Sequence, residues 1–296
     1  MEFVEAKTIL TKTKNGKAWY GIDYTMNLYR GCSHGCIYCD SRSNCYHIED
    51  FDVVRGKKNA LVLLERELIR KKQTGVVGIG AMSDTYHPQE RQYQITRGAL
   101  QLLAKYGYGV SIDTKSDLIL RDLDVLQEIN QKHSVIVKFT ITTPHDRLSR
   151  MIEPRVCVTS KRLQAIKQLS EAGIFVGIMM NPVLPFLTDK EEDIKELVFL
   201  AYQSGAKFIH TYMGMTLRDR QRDYYYQRLD QHFKGVKERY ILTYGDKYRC
   251  SVLQAKRLYQ VFVAECKRYG ILYRMPDIIK AYQKVPKKVE QLSFFD

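Results

Sequence analysis

The chain has 296 residues, 45% hydrophobic and 27% charged, with 18 glycines and 7 prolines; this composition excludes collagen-like, coiled-coil and disordered chains and leaves enough apolar material for a sizeable core. The longest charge-free run, Ala172 to Thr188, is 17 residues long and is broken by Asn181, Pro182 and Pro185, too interrupted to cross a bilayer. With acids at Glu2 and Glu5, where a signal peptide needs positive charge, no membrane partner and a cytoplasmic address are expected.

In chain order, an irregular Lys-rich lead-in gives way to short apolar runs alternating with longer amphipathic ones. Strands are predicted over Met26–Arg30, Val76–Ala81, Val110–Thr114, Val135–Ile141, Ile174–Asn181 and Phe208–Gly214. Helices are predicted over Lys58–Gln73, Gln92–Tyr106, Leu118–Lys132, Ser160–Ala172 and Lys190–Gln203, and Gly107, Gly173 and Gly205 suit left-handed C-caps. Six β-α units imply a parallel sheet, either closed towards a barrel or doubly wound, and periodicity leaves both open. After Thr216 the pattern is mostly helical, with Ser251–Tyr269 the clearest helix. The expected division is a β/α core over 1–215, a helical region over 216–288 and a tail over 289–296.

The formal charge of +14 is uneven: Thr216 to Lys288 holds 18 basic and 7 acidic residues, together with 10 of the 21 tyrosines. Cations interleaved with aromatics suit a polynucleotide, the cations meeting phosphates and the rings meeting bases, so DNA is the expected partner, with Arg218, Arg220 and Arg222 as candidate phosphate contacts. A solvated basic face with core tyrosines is the plainer alternative.

Seven cysteines in such a chain argue against a disulfide framework. Three of them, Cys32, Cys36 and Cys39, form C-x₃-C-x₂-C directly after the first predicted strand. Three thiolates on one loop can hold three irons of a [4Fe–4S] cluster and leave the fourth open, and Gly31 and Gly35 let the loop fold tightly. Zinc, which usually asks for a second ligand pair, and inert buried cysteines are the alternatives. His34 and His47 read as spacers.

This loop at the end of strand one in a repeating β/α chain resembles the radical S-adenosylmethionine (SAM) superfamily over roughly Met26 to Gly214. The resemblance implies an α/β fold, a partial (β/α)6 barrel with a mostly helical C-terminal extension. It also implies a [4Fe-4S] cluster and S-adenosyl-L-methionine as cofactors, an electron donor such as flavodoxin or ferredoxin, and reductive cleavage of SAM to a 5′-deoxyadenosyl radical. Within the superfamily the chain is similar to spore photoproduct lyase and its relatives, through Tyr38 in the cluster motif, Gly80-Ala81-Met82-Ser83-Asp84 and Thr114-Lys115-Ser116. By that resemblance Ser83 and Lys115 touch polar groups of SAM, Thr140 or Thr142 lies near its ribose, and Asp84, Ser116, Glu153 and Arg155 are weaker candidates. The loop beginning Asn181-Pro182 is a candidate pocket wall. That family carries a hydrogen-donor cysteine after strand two, but Gly78 to Asp84 holds none, and Asp40 replaces the aromatic residue after the third cluster cysteine. Reversal of the same thymine lesion is therefore not implied. Tyr38, Cys45, Tyr46 and Tyr86 are the candidate catalytic residues, the last three as quenchers of a product radical.

Gln291, Leu292, Phe294 and Phe295, in the run Gln-Leu-Ser-Phe-Phe, resemble the bacterial sliding-clamp binding motif, which makes the clamp a candidate partner; a tail packed on its own domain is the alternative. The expected function is a radical SAM enzyme acting on DNA in a lesion-repair role. The alternatives are a radical SAM enzyme for RNA, protein or a small molecule, and a non-catalytic metal-containing DNA-binding or clamp-associated protein.

Overall fold

The computed structural model describes residues 1–14 and 16–284. Its main sheet has seven strands: β1 Leu10–Lys12, β2 Tyr24–Met26, β3 Val76–Ile79, β4 Gly109–Thr114, β5 Val135–Thr140, β6 Phe175–Met180 and β7 Ile209–Thr211. Strands β2 to β7 are parallel and lie side by side in chain order, with β1 antiparallel on the outer edge of β2. Chain order equal to spatial order means a singly wound sheet, which decides against double winding. The sheet is an open arc, as a partial barrel is, and does not close.

Connecting helices α1 Ala60–Arg70, α2 Ile95–Lys105, α3 Leu123–Lys132, α4 Thr159–Glu171 and α5 Glu191–Gln203 pack on one face of the sheet. The period-2 alternation of strands explains the packing. Val110 and Ile112, Val135, Val137 and Phe139, and Val176, Ile178 and Met180 all face the helices in one core. Their neighbours Ser111 and Asp113, Lys138 and Thr140, and Met179 face the concave interior. Register sets Asp113 opposite Lys138.

Gly107, Gly173 and Gly205 all take left-handed backbone after their helices, as their positions predict. Strand β3 stops at Ile79 because Gly80 is left-handed (φ 93°) and runs so close to the next strand that a Cβ there would lie 2.0 Å from Asp113 O. The expected first strand is in fact two pieces. Tyr24–Met26 belongs to the main sheet, whereas Tyr29–Arg30 pairs with Arg55–Lys57 in a separate small sheet. The run was too short for alternation to reveal the break at Asn27 and Leu28. The expected last strand divides likewise, Gly214–Thr216 pairing antiparallel with Arg249–Ser251.

The C-terminal elements are α6 Asp219–His232, α7 Val236–Tyr244, α8 Ala255–Arg268 and α9 Met275–Tyr282. Helix α8 packs on α5. Ile278 and Tyr282 of α9 join Tyr20, Ile22, Val76, Ile136 and Phe208 in an apolar cluster on the concave side, so α9 plugs the end of the arc away from the cysteine loop. No helix among the described residues is long and apolar enough to cross a membrane.

Candidate active site at the strand ends

The cysteine loop is shaped by backbone. Gly31 and Gly35 are left-handed (φ 79° and 72°), and a Cβ at Gly31 would sit 2.4 Å from Val53 O. The loop is tied on two sides, by Cys32 N–H donating to Phe51 O (2.8 Å), Ile37 N–H to Ile152 O (2.9 Å) and Arg155 N–H to His34 O (3.1 Å). Cys32 and Cys36 are buried and Cys39 half-buried, and all three are free thiols. They line one cavity of about 250 Å³, whose other walls include Trp19, Asp84, Asp113, Lys115, Thr140 and Asn181.

Burial, with Asp84 adding to it, pushes the Cys32 thiol up to about 12, and burial pushes Cys36 well above its ordinary value. Such thiols keep their protons until a thiophilic cation takes the proton's place. Burial works against charge on Lys115, but the Cys36 sulfur once it is a thiolate, and the Glu153 and Asp84 carboxylates throughout, outweigh it and raise its pKa, so the cavity carries a fixed ammonium. Burial lowers His34, which is neutral near pH 7 and sits 3.4 Å from Asp84.

Asp84 staples strand ends. Its carboxylate accepts from Tyr86 N–H (2.9 Å), Thr114 Oγ1 (2.9 Å) and Lys115 N–H (2.7 Å), which fixes the backbone from which Lys115 projects. Behind the cysteines lies a buried charge relay. Tyr38 OH donates to Glu153 Oε1, and Glu153 Oε2 is 2.6 Å from Arg162 Nη1, with both charged side chains essentially sealed from solvent. Arg162 also donates to Thr140 O (2.9 Å) and Cys157 O (2.8 Å), linking the cluster loop to the end of β5.

Among the sequence candidates, Lys115, Asp84 and Thr140 line the cavity with the three cysteines. Ser83 and Thr142 are outside its lining, buried, with hydroxyl oxygens that have no partner among the described residues. Ser116 is an N-cap, its Oγ accepting from Leu118 N–H (3.3 Å). Tyr38 is buried and committed to Glu153, and Tyr86 is wholly buried. Cys45 is exposed and accepts from Arg218 Nη1 (3.0 Å), while Tyr46 donates to Asp40 Oδ2 (2.7 Å), so both belong to a polar knot next to the cavity rather than to its lining. His47 is exposed. Gln291, Leu292, Phe294 and Phe295 lie outside the described residues.

Sequence reasoning passed over Trp19, Lys138 and Arg162. Lys138, a lone cation within Val135-Ile-Val-Lys-Phe-Thr140, was a readable signal, since a charge in a strand buried on both faces needs a partner. Arg162 gave none, because it follows Lys161 in an amphipathic helix where a cation is ordinarily solvated.

The residues present fit a cluster with an open iron and a polar ligand beside it. Three thiols unpaired among the described residues line one cavity, and the buried hydroxyls of Ser83 and Thr142 find no partner among those residues either. Cys32, Cys36 and Cys39 would hold the metal, and Lys115 and Thr140 line the same cavity beside them.

Proteins of known sequence and structure agree. An uncharacterised protein of Mycobacterium tuberculosis is 33% identical over 229 residues, covering 75% of this chain and 67% of its own length. One from Methanocaldococcus jannaschii is 34% identical over 180 residues, covering 60% of this chain and 66% of its own. Spore photoproduct lyase complexed with dinucleoside spore photoproduct superposes with a TM-score of 0.67 at 15% identity, covering 90% of this chain and 79% of that one. A mutant of that lyase with bound AdoMet gives 0.66 at 14% identity, covering 90% and 79%. The Radical SAM superfamily model matches residues 26–198, more than half of the chain. With three thiols at the end of the first parallel strand of a singly wound β/α arc, the chain belongs to the radical SAM superfamily and is an enzyme of that type, with a [4Fe–4S] cluster and SAM as its cofactors.

Proposed function

We propose that this enzyme acts on DNA in a lesion-repair role. The observation that carries the reading is where the basic C-terminal region meets the active site. Thr216 Oγ1 donates to Asp40 Oδ1 (3.3 Å), Asn44 N–H donates to Asp219 Oδ1 (3.2 Å), and Gln221 Nε2 donates to Tyr38 O (2.9 Å). The start of the segment that holds most of the excess charge is therefore bonded to the loop bearing the three thiols. A polyanion attracted to that segment is delivered beside the cavity. The fold shared with a lyase solved with a dinucleoside photoproduct supports the same substrate class.

The cofactors supply hydrogen-abstracting radical chemistry when bound. The protein's own part is positional: Lys115 and the unpartnered hydroxyls orient the polar ligand, the relay of Tyr38, Glu153 and Arg162 holds the loop, and burial excludes water. Anaerobic incubation of the reconstituted enzyme with dithionite, SAM and ultraviolet-irradiated DNA tests the reading. Release of 5′-deoxyadenosine should exceed that with intact DNA and be accompanied by loss of a lesion. Equal release with and without DNA of either kind refutes it.

Recruitment by the sliding clamp through Gln291, Leu292, Phe294 and Phe295 belongs to the same proposal. A contact of five residues buries little area and gives an affinity of about micromolar strength, raised by avidity where the clamp encircles DNA. Phe294→Ala with Phe295→Ala should abolish clamp binding by calorimetry and leave iron content unchanged; unaltered clamp binding removes this partner.

A further inference from the structure

We infer that Trp19 is the stacking platform for a nucleobase drawn out of its strand, an assignment that rests on the DNA reading above and names how that substrate is held. Trp19 is the chain's single tryptophan, and it lines the same cavity as Cys32, Cys36 and Cys39 while remaining 43% exposed. An indole left in water on the wall of an active site, when an apolar core lies one residue away, is not explained by packing.

Its orientation is built in. The two residues after it, Tyr20 and Gly21, are both left-handed (φ 48° and 58°). That turn sends Tyr20 inward, to complete burial, and leaves Trp19 on the wall. A left-handed tyrosine is unfavourable and persists only where its surroundings insist on it. Here they do: Tyr20 OH donates to Met179 Sδ (2.7 Å), Lys138 Nζ lies 4.4 Å from the Tyr20 ring centroid, and Tyr20 O accepts from Tyr282 OH of α9. The indole itself stands perpendicular to two rings, Tyr20 at 5.2 Å and His210 at 5.1 Å. A ring fixed in this way loses little freedom when a second ring stacks on it.

The same cavity supplies edge contacts for a flat, polar-rimmed ring. The Asn181 amide can donate and accept. The Asp113 carboxylate, partly exposed to the cavity and 3.2 Å from the buried Lys138 ammonium, can accept from an exocyclic amine or ring N–H. A planar face opposite Trp19, polar edges opposite Asn181 and Asp113, and a cationic protein outside together describe a base on a phosphate backbone. The cavity must also take the cofactors and has no room for a duplex, so the base must leave its stack to reach the indole at its wall.

The sole tryptophan makes the test direct. The holoenzyme is titrated with a short single-stranded oligothymidylate, with an abasic strand of the same length and charge, and with SAM alone, while indole emission is followed; affinities for labelled strands are read in parallel by anisotropy. Oligothymidylate should change the emission and the abasic strand should bind without doing so. Trp19→Ala should weaken oligothymidylate binding by about fivefold or more, leave abasic-strand binding and iron content unchanged, and be largely rescued by Trp19→Phe. Strands that bind equally with and without bases, and with Trp19 or Ala, overturn the platform and leave the DNA reading standing. A change of emission with SAM alone that later strands do not alter assigns the ring to the cofactor and also overturns it. Failure of every strand to bind removes both.

Discussion

Replacing Glu153 by Gln isolates the charge behind the cluster loop. Gln keeps the size of the side chain and an oxygen to accept from Tyr38, so the change removes the partner of Arg162 and little else. Arg162 is fully buried, with its guanidinium 2.6 Å from Glu153 Oε2, so the variant leaves an uncompensated cation out of reach of water. Breaking such a pair from one side costs about 3–5 kcal/mol. At ~2–4 °C per kcal/mol for a chain of this size, thermal unfolding of Glu153→Gln should begin about 6–20 °C early. Iron retention should fall with it, since Ile37 and His34 of the cluster loop are bonded to the backbone on either side of Glu153. In the double variant Glu153→Gln with Arg162→Met no buried charge remains. It should therefore recover part of the loss, short of all of it, because the carbonyls of Thr140 and Cys157 lose their donor. Thermal melts by circular dichroism and iron assays on the two single variants and the double variant decide the matter. A cost for Glu153→Gln below about 1 kcal/mol, or single effects that simply add, refutes the argument that the pair is a buried, mutually dependent unit.

Anaerobically purified protein should be brown and hold a [4Fe–4S] cluster that Cys32→Ala, Cys36→Ala or Cys39→Ala each removes, by iron and sulfide analysis; stoichiometric zinc without iron would overturn this. Lys115→Ala should weaken SAM binding in equilibrium dialysis while iron content is kept, and unchanged affinity would reject its role. Binding of DNA should weaken steeply with added salt. The cations responsible are exposed ones such as Lys247 and Arg249, whose replacement by Gln should flatten the salt slope. Arg222 donates to the carbonyls of Leu217, Gly245, Asp246 and Lys247, so Arg222→Gln should instead lower the melting temperature. A flattened slope without loss of stability in Arg222→Gln would reverse that assignment.

The chemistry of this protein was legible in the chain because it is local. Three cysteines on one glycine-shaped loop carry their spacing with them wherever the loop is placed. Likewise, β/α alternation follows from strand and helix periods, and Gly107, Gly173 and Gly205 announce left-handed caps because few other residues go there cheaply. What faces what could not be read in this way. Winding sense depends on which strands become neighbours, a non-local choice that both readings of the same periodicity satisfy, and the structure resolves it as a single arc in chain order. The arginines of the basic segment look alike in sequence, yet Arg222 is spent on backbone carbonyls and Arg218 on Cys45, Tyr248 and Asp40. Asp113 pairs with Lys138 only through strand register, Glu153 meets Arg162 only when two connecting segments fold over the same strand end, and Trp19 reaches the cluster cavity only because the next two residues turn left-handed. Covalent neighbours set the cofactor site, while the groups that tune it and the surface that receives a substrate come from contacts between residues far apart in the chain, whose energies exist only in the folded state.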